Sequence, residues 1–247
     1  MTAPLADVAA EGARIVAAAE SHGLTVRLCG GAAVAHLCPS AARPPLARPY
    51  KDVDVVGLRR ERRALEELLA ELGYEPRDEF NVLGGGERLL FWDAAHARQL
   101  DVLLDRFAMC HALDLRDRLA AHPITLEPAD LLLTKLQVRE TNERDVKDSL
   151  ALVVDSQPDV GRIADVLCAD WGWWRTATDV LERVGAGAAE LDAASAARAR
   201  TWIERLRHEL DTRPKSVAWR LRARVGDRVR WYEEPEDDYA VADGGDR

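Results

Sequence analysis

The chain has 247 residues, of which 47% are hydrophobic and 31% charged, and its formal net charge is −9. This length and composition predict a globular protein with a sizeable core and exclude a disordered chain. The negative charge argues against a nucleic-acid footprint over the whole surface. The sequence has neither an apolar run of the roughly 20 residues that span a bilayer nor signal-peptide features. We therefore expect a cytoplasmic protein without membrane contacts.

The N-terminal segment predicts a helix, a strand and a glycine pair in that order. Residues 4–20 have the spacing of an amphipathic helix. A strand at 25–29 then runs into Gly30 and Gly31, which open a second helix that continues to Leu37. A glycine pair at the start of a helix directs free backbone N–H groups toward an anion such as phosphate.

A second strand follows a proline-rich loop and carries two aspartates. Asp52 and Asp54 are separated by one apolar residue, so in a strand they share a face about 7 Å apart. Two carboxylates at that distance repel each other unless a cation lies between them. The loop also places Arg48 beside the pair, where its guanidinium could meet nucleotide phosphates.

The next elements are a charged helix over 59–72 and several strands. Strand-like segments occur at 80–83 and 89–92, and a strand at 99–105 carries Asp101. A phosphate-binding glycine pair, two neighbouring aspartates and a third strand aspartate form the minimum set for two-metal phosphoryl or nucleotidyl transfer. The alternative is that the three aspartates are loop-end acids on unrelated elements.

A helix that begins at Glu127 carries two cations on an otherwise apolar stripe. Lys135 and Arg139 share this stripe with Leu132 and Leu136. One interpretation is that both side chains extend along the rim of the core with their charges in water. The other is that they project into a cleft that holds a triphosphate.

The C-terminal part begins near residue 155, where the composition changes and the pattern becomes helical. We predict a catalytic domain over 1–155, a helical domain over 156–232 and an acidic flexible tail over 233–247. Residues 213–230 contain seven basic side chains and one acid, so this segment is the local patch able to attract a polyanion such as RNA. The acidic tail could also neutralise it.

The chain resembles the nucleotidyltransferase superfamily with the polymerase β-like fold, and its motif pattern is closest to the branch of AbiEii-type toxins and antibiotic nucleotidyltransferases. The motifs occur in family order: Gly30-Gly31, then Arg48 with Asp52 and Asp54, then Asp101, and last Lys135 with Asp145 and Asp148. Two positions differ from the family pattern, since Tyr50 stands where Ser or Thr is usual and Gly31 stands where Ser is frequent. By themselves, Asp145 and Asp148 are also compatible with an ordinary helix surface.

The resemblance implies an α+β fold, with a mixed β-sheet flanked by helices and followed by a helical C-terminal domain. It also implies a metal-dependent enzyme that moves an NMP group from an NTP such as ATP to an acceptor hydroxyl. Two Mg²⁺ ions would be bound by the catalytic Asp52, Asp54 and Asp101, and Lys135 would neutralise the leaving pyrophosphate. The residues implied to bind the nucleotide are Gly30, Gly31, Arg48, Arg139, Asp145 and Asp148.

Two alternative functions stay open at this point. One is a catalytically silent protein of the same fold that binds a nucleotide or a partner without turnover. The other is a toxin of a toxin–antitoxin pair, a nucleotidyltransferase that acts on tRNA held by residues 213–230. The second alternative predicts salt-sensitive RNA binding that is lost when Arg220, Arg222 and Arg224 are neutralised.

Overall fold

The structure, a computed structural model, describes residues 3–83 and 86–234 and has the predicted α+β class. The described residues contain seven strands: β1 (Val26–Cys29), β2 (Val53–Gly57), β3 (Glu75–Pro76), β4 (Arg88–Asp93), β5 (Arg98–Leu104), β6 (Arg106–Ala108) and β7 (Ala112–Asp114). They also contain ten α-helices: α1 (Val8–Ser21), α2 (Gly30–Leu37), α3 (Arg62–Glu71), α4 (Asp78–Leu83), α5 (Pro128–Leu136), α6 (Glu143–Asp155), α7 (Val160–Ala169), α8 (Trp171–Gly187), α9 (Ala193–Thr212) and α10 (Val217–Val225).

Five strands form a mixed sheet in the order β1-β2-β5-β4-β3. Strand β2 pairs with β1 in the antiparallel and with β5 in the parallel direction. Cys29 of β1 lies opposite Asp54 of β2, and Asp54 lies opposite Asp101 of β5. The register therefore brings the second and third predicted aspartates side by side on adjacent strands.

Strand β2 begins at Val53, directly after Asp52, so only Asp54 of the predicted pair lies in the strand. Val53 and Val55 are fully buried in the core, whereas Asp54 between them keeps part of its surface exposed. Burial of two β-branched side chains on one face fixes the register, because a slip by one residue would bury the carboxylate in their place. The apolar face of the strand thus determines where Asp54 points.

The prediction of a strand over residues 80–83 is wrong, because these residues belong to α4. Asp78 and Glu79 occupy the first turn of this helix, where negative charge is favourable. The Asn81 amide accepts a hydrogen bond from the Leu90 backbone N–H at 2.7 Å and donates one to the Leu90 carbonyl at 3.1 Å. This side-chain clamp holds a helical turn against the edge of β4, although the Phe and Val content of the segment favours a strand.

The helical part packs on the sheet through a continuous core. Buried side chains from Ile15 in α1 to Leu210 in α9 belong to one cluster. At the predicted boundary, the Trp202 indole N–H donates to the Pro158 carbonyl at 2.8 Å, which fixes α9 against the turn before α7. The division into domains at residue 155 stays a prediction. None of the helices in the described ranges has the length and apolarity needed to traverse a bilayer.

The last described residues return to the body of the protein. The Trp231 indole N–H donates to Thr176 Oγ1 at 3.1 Å, and the Glu233 N–H donates to the Cys110 carbonyl at 3.1 Å. A Cβ at Gly172 would lie 2.5 Å from the Trp231 carbonyl oxygen, so the glycine makes room for this segment. Residues 235–247, most of the predicted acidic tail, lie outside the described residues.

His111 gives a prediction for the pH dependence of stability. Its Nε2 lies 3.0 Å from Thr176 Oγ1 and its ring stacks on Trp173, and burial lowers the pKa of His111 to about 4. The unfolded chain, with a histidine pKa near 6.5, therefore binds the proton more readily, and the contribution of neutral His111 is lost as the pH falls from about 6.5 to about 4. We expect the free energy of unfolding to drop by about 2 kcal/mol between pH 7.5 and pH 5 because of this group.

Urea unfolding of wild type and His111→Gln at both pH values measures this term. The glutamine variant should lose the His111 contribution to the pH dependence, so its decrease should be smaller by about that amount. An equal decrease in both proteins would contradict the assignment.

Candidate active site

A cleft of about 940 Å³ opens where β1 ends in α2 and where β2 begins. Eight of the ten site residues predicted from the sequence line this cleft: Gly30, Gly31, Arg48, Asp52, Asp54, Lys135, Arg139 and Asp145. The other two, Asp101 and Asp148, are buried behind its wall. Residues as distant in the chain as Gly30 and Asp145 thus meet at one surface.

Gly30, the first glycine of the pair, lies directly against Asp54. Gly30 has a φ of +58°, and a Cβ at this position would lie 1.9 Å from Asp54 Oδ2. Only a glycine allows this backbone conformation and this close approach together. Cys29 caps α2 without a side-chain hydrogen bond, and Gly30 and Gly31, in the first turn of this helix, line the cleft.

Asp52 and Asp54 form a carboxylate pair that is short of positive charge. Asp52 is exposed in the cleft and Asp54 is half-buried. Burial, and then the neighbouring charge of Asp101, raise the pKa of Asp54 to about 7, against a partial offset from Lys135. A bound cation would remove this penalty, and carboxylate oxygens are the ligands that Mg²⁺ prefers. These two residues fit a magnesium ion.

Asp101 has different neighbours. Arg88 Nε donates to Asp101 Oδ1 at 2.7 Å, and Gln99 Nε2 donates to Asp101 Oδ2 at 2.7 Å. Both carboxylate oxygens therefore have protein partners, and in residues 3–83 and 86–234 no three Asp, Glu, His or Cys side chains are grouped closely enough to hold a metal ion as they stand. Each oxygen keeps a second lone pair, and the prediction that Asp101 binds a metal stays a prediction.

Lys135 projects from α5 into a group of acids at the cleft wall. Its Nζ lies 2.9 Å from Asp148 Oδ2 and 3.1 Å from Asp145 Oδ1. Burial alone would lower the pKa of Lys135, but these two ion pairs hold its pKa above the usual value. Lys135 is thus a permanent cation close to Asp54. Of the two interpretations of the apolar stripe, the position of Lys135 agrees with the cleft.

Arg139 lies farther along the cleft. Its Nη1 is 3.3 Å from Asp179 Oδ2, and its guanidinium lies over the Trp231 ring at 5.6 Å from the centroid. It thus joins the cleft wall to the helical part of the protein. Its predicted contact with the nucleotide stays a prediction.

Sequence reasoning missed several residues of the site. Arg88 and Gln99, which bind Asp101, were missed although Gln99 lies two positions before Asp101 on the same strand face. Further cleft-lining residues that were not predicted are Lys51, Thr134, Asn142, Arg144, Tyr232 and Glu234. Lys51 and Arg144 directly precede the predicted site residues Asp52 and Asp145, so the sequence alone could have placed them at the site. Nothing in the sequence pattern placed Tyr232 and Glu234 near the glycine pair.

The basic segment over 213–230 has two kinds of cation. Arg213 pairs with Asp165 and Glu209, and Arg222 donates to the carbonyls of Gly226 and Val229 at 2.8 and 2.7 Å. These two side chains hold the local fold together. The exposed cations are Arg220 and Arg224, one turn apart on α10, and Arg228 and Arg230, which follow the end of this helix. RNA contact through this segment stays a prediction, and its test needs Arg220 and Arg224, since neutralising Arg222 would also disturb the fold.

Comparisons with known proteins add little to this geometry. No family model matches the chain, and no curated protein matches it in sequence. Among solved structures, it is similar to the antibiotic-resistance factor ANT(2'')-Ia, solved in solution, with 13% identity and a TM-score of 0.39 over 79% of this chain and 93% of that chain. A likeness of this extent carries no argument. The predicted relation to AbiEii-type toxins stays a prediction.

Proposed function

We propose that this protein is a metal-dependent nucleotidyltransferase, which moves an NMP group from an NTP to the hydroxyl of an acceptor. The observation that carries the proposal is the meeting of three features in one cleft: the Gly30–Gly31 helix start, the Asp52–Asp54 pair and the Lys135 ammonium group. A backbone anion site, a cation-binding carboxylate pair and a fixed positive charge are together suited to a nucleoside triphosphate.

Different residues of the cleft would bind different parts of the nucleotide. Backbone N–H groups at Gly30 and Gly31 would receive oxygens of the β- and γ-phosphates, and Lys135 would neutralise the charge that develops on the departing pyrophosphate. Arg48, Arg139 and Asp145 would complete the nucleotide site. The rate enhancement would come from positioning and charge stabilisation, because nucleotidyl transfer needs no covalent intermediate with the protein.

Asp52 and Asp54 would hold Mg²⁺ in this site. When bound there, Mg²⁺ supplies charge stabilisation on the phosphate oxygens and orients them. Asp101 would act as a third ligand through a lone pair that the hydrogen bonds from Arg88 and Gln99 leave available. In its present position, next to Asp54, it contributes the negative potential that attracts a cation to the pair.

Two labels in the NTP test the proposed reaction. The protein with Mg²⁺ would be incubated with α-labelled or γ-labelled NTP and with separate fractions of small hydroxylated molecules, proteins and RNA. We expect the α label to appear in one fraction and the γ label to appear as pyrophosphate. Transfer of the γ label would show phosphoryl transfer instead, and lack of transfer in all fractions despite nucleotide binding would favour a silent protein.

A second candidate function is a catalytically silent nucleotide-binding protein of the same fold. The observation in its favour is that Asp101, the predicted ligand of the catalytic metal, has both oxygens bound by Arg88 and Gln99. A protein of this kind would bind Mg²⁺ and NTP through Asp52 and Asp54 without turnover.

Replacement of Arg88 reports on this arrangement. In Arg88→Met, Asp101 is left buried without its cation, and we expect the metal-free protein to lose about 2–3 kcal/mol of unfolding free energy. Excess Mg²⁺ should restore part of this loss, because the released carboxylate can then bind the ion beside Asp54. Urea unfolding with and without Mg²⁺ measures both effects.

The matched control is Arg106→Met on strand β6. Arg106 pairs with Glu87 at an exposed position, so its loss should cost no more than about 1 kcal/mol and should not respond to Mg²⁺. If Arg88→Met behaved like this control, Asp101 would not be coupled to the metal site.

A further inference from the structure

Asp148 is a buried carboxylate with four contacts to three donors, none of which is on its own helix. Arg48 Nε and Nη2 donate to its two oxygens at 2.7 Å each, and Lys135 Nζ lies 2.9 Å from Oδ2. The Tyr50 hydroxyl lies 3.4 Å from Oδ1. The Asp148 side chain has no exposed surface, so it cannot itself touch a ligand in the cleft. Its charge acts on the two cations.

The hydrogen bonds of Arg48 determine the direction of its guanidinium. An arginine has five N–H donors. Two bind Asp148, and Nη1 donates to the Pro49 carbonyl at 3.1 Å. In the part of the chain that is described, this leaves one N–H on each terminal nitrogen, and the Arg48 side chain lines the cleft. Two parallel N–H groups on a rigid fork suit the oxygens of a phosphate.

Tyr50 and Gly31 complete the support of this guanidinium. Arg48 Cζ lies 3.9 Å from the centroid of the Tyr50 ring, which forms a flat plate beneath it. A Cβ at Gly31 would lie 2.7 Å from Arg48 Nη2 and 2.8 Å from Tyr50 Cδ1. Gly31 therefore lets the guanidinium approach the first turn of α2, and the positive end of the helix and the arginine face the same space.

We infer that Asp148 is a positioning residue that orients Arg48 and Lys135 as the subsite for the terminal phosphates of a nucleotide, with Tyr50 as the plate for Arg48. This inference rests on the proposed function, since it concerns the orientation of the nucleotide in that cleft. It assigns Asp148 a role through other residues, whereas Asp145, which also pairs with Lys135, lines the cleft itself.

Ligands with three, two or one phosphate groups distinguish a positioning role of Asp148 from a purely structural role. Calorimetric titrations with Mg²⁺ would compare wild type and Asp148→Asn for the NTP that wild type binds best and for the matching NDP and NMP. We expect Asp148→Asn to bind the NTP about tenfold more weakly and the NMP about equally well, because only the outer phosphates reach the two cations. General damage to the fold would weaken all three ligands alike.

A control on the same helix is Asp155→Asn. Asp155 accepts a hydrogen bond from the Ser40 N–H at 2.8 Å, outside the residues that line the cleft, so its replacement should leave the ratio of NTP to NMP affinity unchanged. If Asp148→Asn does not fold, Tyr50 provides the test. Tyr50→Ala should reduce the NTP affinity selectively, and Tyr50→Phe, which keeps the plate, should not.

The failures of the two proposals are distinguishable. A wild type that binds none of the three ligands would overturn the proposed function and, with it, this inference. A wild type that binds the NTP with Mg²⁺, together with folded Asp148→Asn or Tyr50→Ala variants whose preference for the NTP over the NMP is unchanged, would overturn the positioning role alone.

Discussion

Asp54→Asn is expected to remove Mg²⁺-dependent nucleotide binding and, at the same time, to make the metal-free protein more stable. Asparagine keeps the shape of the side chain but is a poor ligand for Mg²⁺, so we expect the affinity for Mg²⁺–NTP to fall by about 100-fold or more. The gain in stability follows from the carboxylate itself, which is half-buried and lies next to Asp101.

The sign of the pH effect is fixed by the raised pKa. Burial and Asp101 raise the pKa of Asp54 from 3.8 to about 7, so the folded state holds the proton more tightly than the unfolded chain. Stability therefore falls as the pH rises from about 4 to about 7, and at pH 8 the ionised Asp54 costs up to about 4 kcal/mol. Asp54→Asn should recover much of this cost at pH 8 and little at pH 4.

Unfolding curves without Mg²⁺ at pH 4 and pH 8 measure this change, and calorimetry measures the loss of binding. Asp52→Asn is the matched control. Asp52 is exposed, so its replacement should weaken nucleotide binding without a comparable gain in stability. Unchanged nucleotide binding by Asp54→Asn would contradict the assignment of the metal site, and a loss of stability at pH 8 would contradict the electrostatic account.

Gly30→Ala is expected to be the most destabilising of these substitutions. The alanine would have to adopt a φ of +58°, and its Cβ would lie 1.9 Å from Asp54 Oδ2. Either the start of α2 or strand β2 must move, and we expect a loss of about 3 kcal/mol or more together with the loss of nucleotide binding. Thermal or urea unfolding and calorimetry detect the two effects.

Gly23→Ala separates the steric clash from the backbone strain. Gly23 has a φ of +72°, but a Cβ at that position would meet no atom within 4 Å. This control should cost only about 1 kcal/mol. A Gly30→Ala variant that is no less stable than Gly23→Ala would mean that Gly30 and Asp54 are not in contact. In the double variant Gly30→Ala/Asp54→Ala, part of the stability should return, whereas nucleotide binding should not.

Much of the site could be predicted because its signals are local. The Val-Asp-Val alternation fixes which side of β2 carries Asp54, and a glycine pair between a strand and a helix has few structural meanings. The helix that starts at Glu127 could also be predicted from the sequence, because Pro128 and Asp130 are suited to a first turn. These features depend on neighbours within a few residues.

The remainder depends on partners that are distant in the chain. In the sequence, Asp148 has the spacing of an ordinary helix-surface acid, and its burial follows from Arg48, which lies 100 positions earlier. The parallel pairing of β2 with β5 sets the contact between Asp54 and Asp101, and no pattern in either strand specifies that neighbour. The segment over 80–83 was misassigned because the Asn81 clamp on Leu90 outweighs local propensity.

The most direct test of a metal-dependent nucleotide site is calorimetric titration of each of the four NTPs, with and without Mg²⁺, into wild type and the Asp52→Ala/Asp54→Ala variant. We predict that wild type binds at least one NTP only when Mg²⁺ is present and that the double variant, although folded, binds none. Equal binding by the variant, or no binding of any NTP by wild type, would contradict the account.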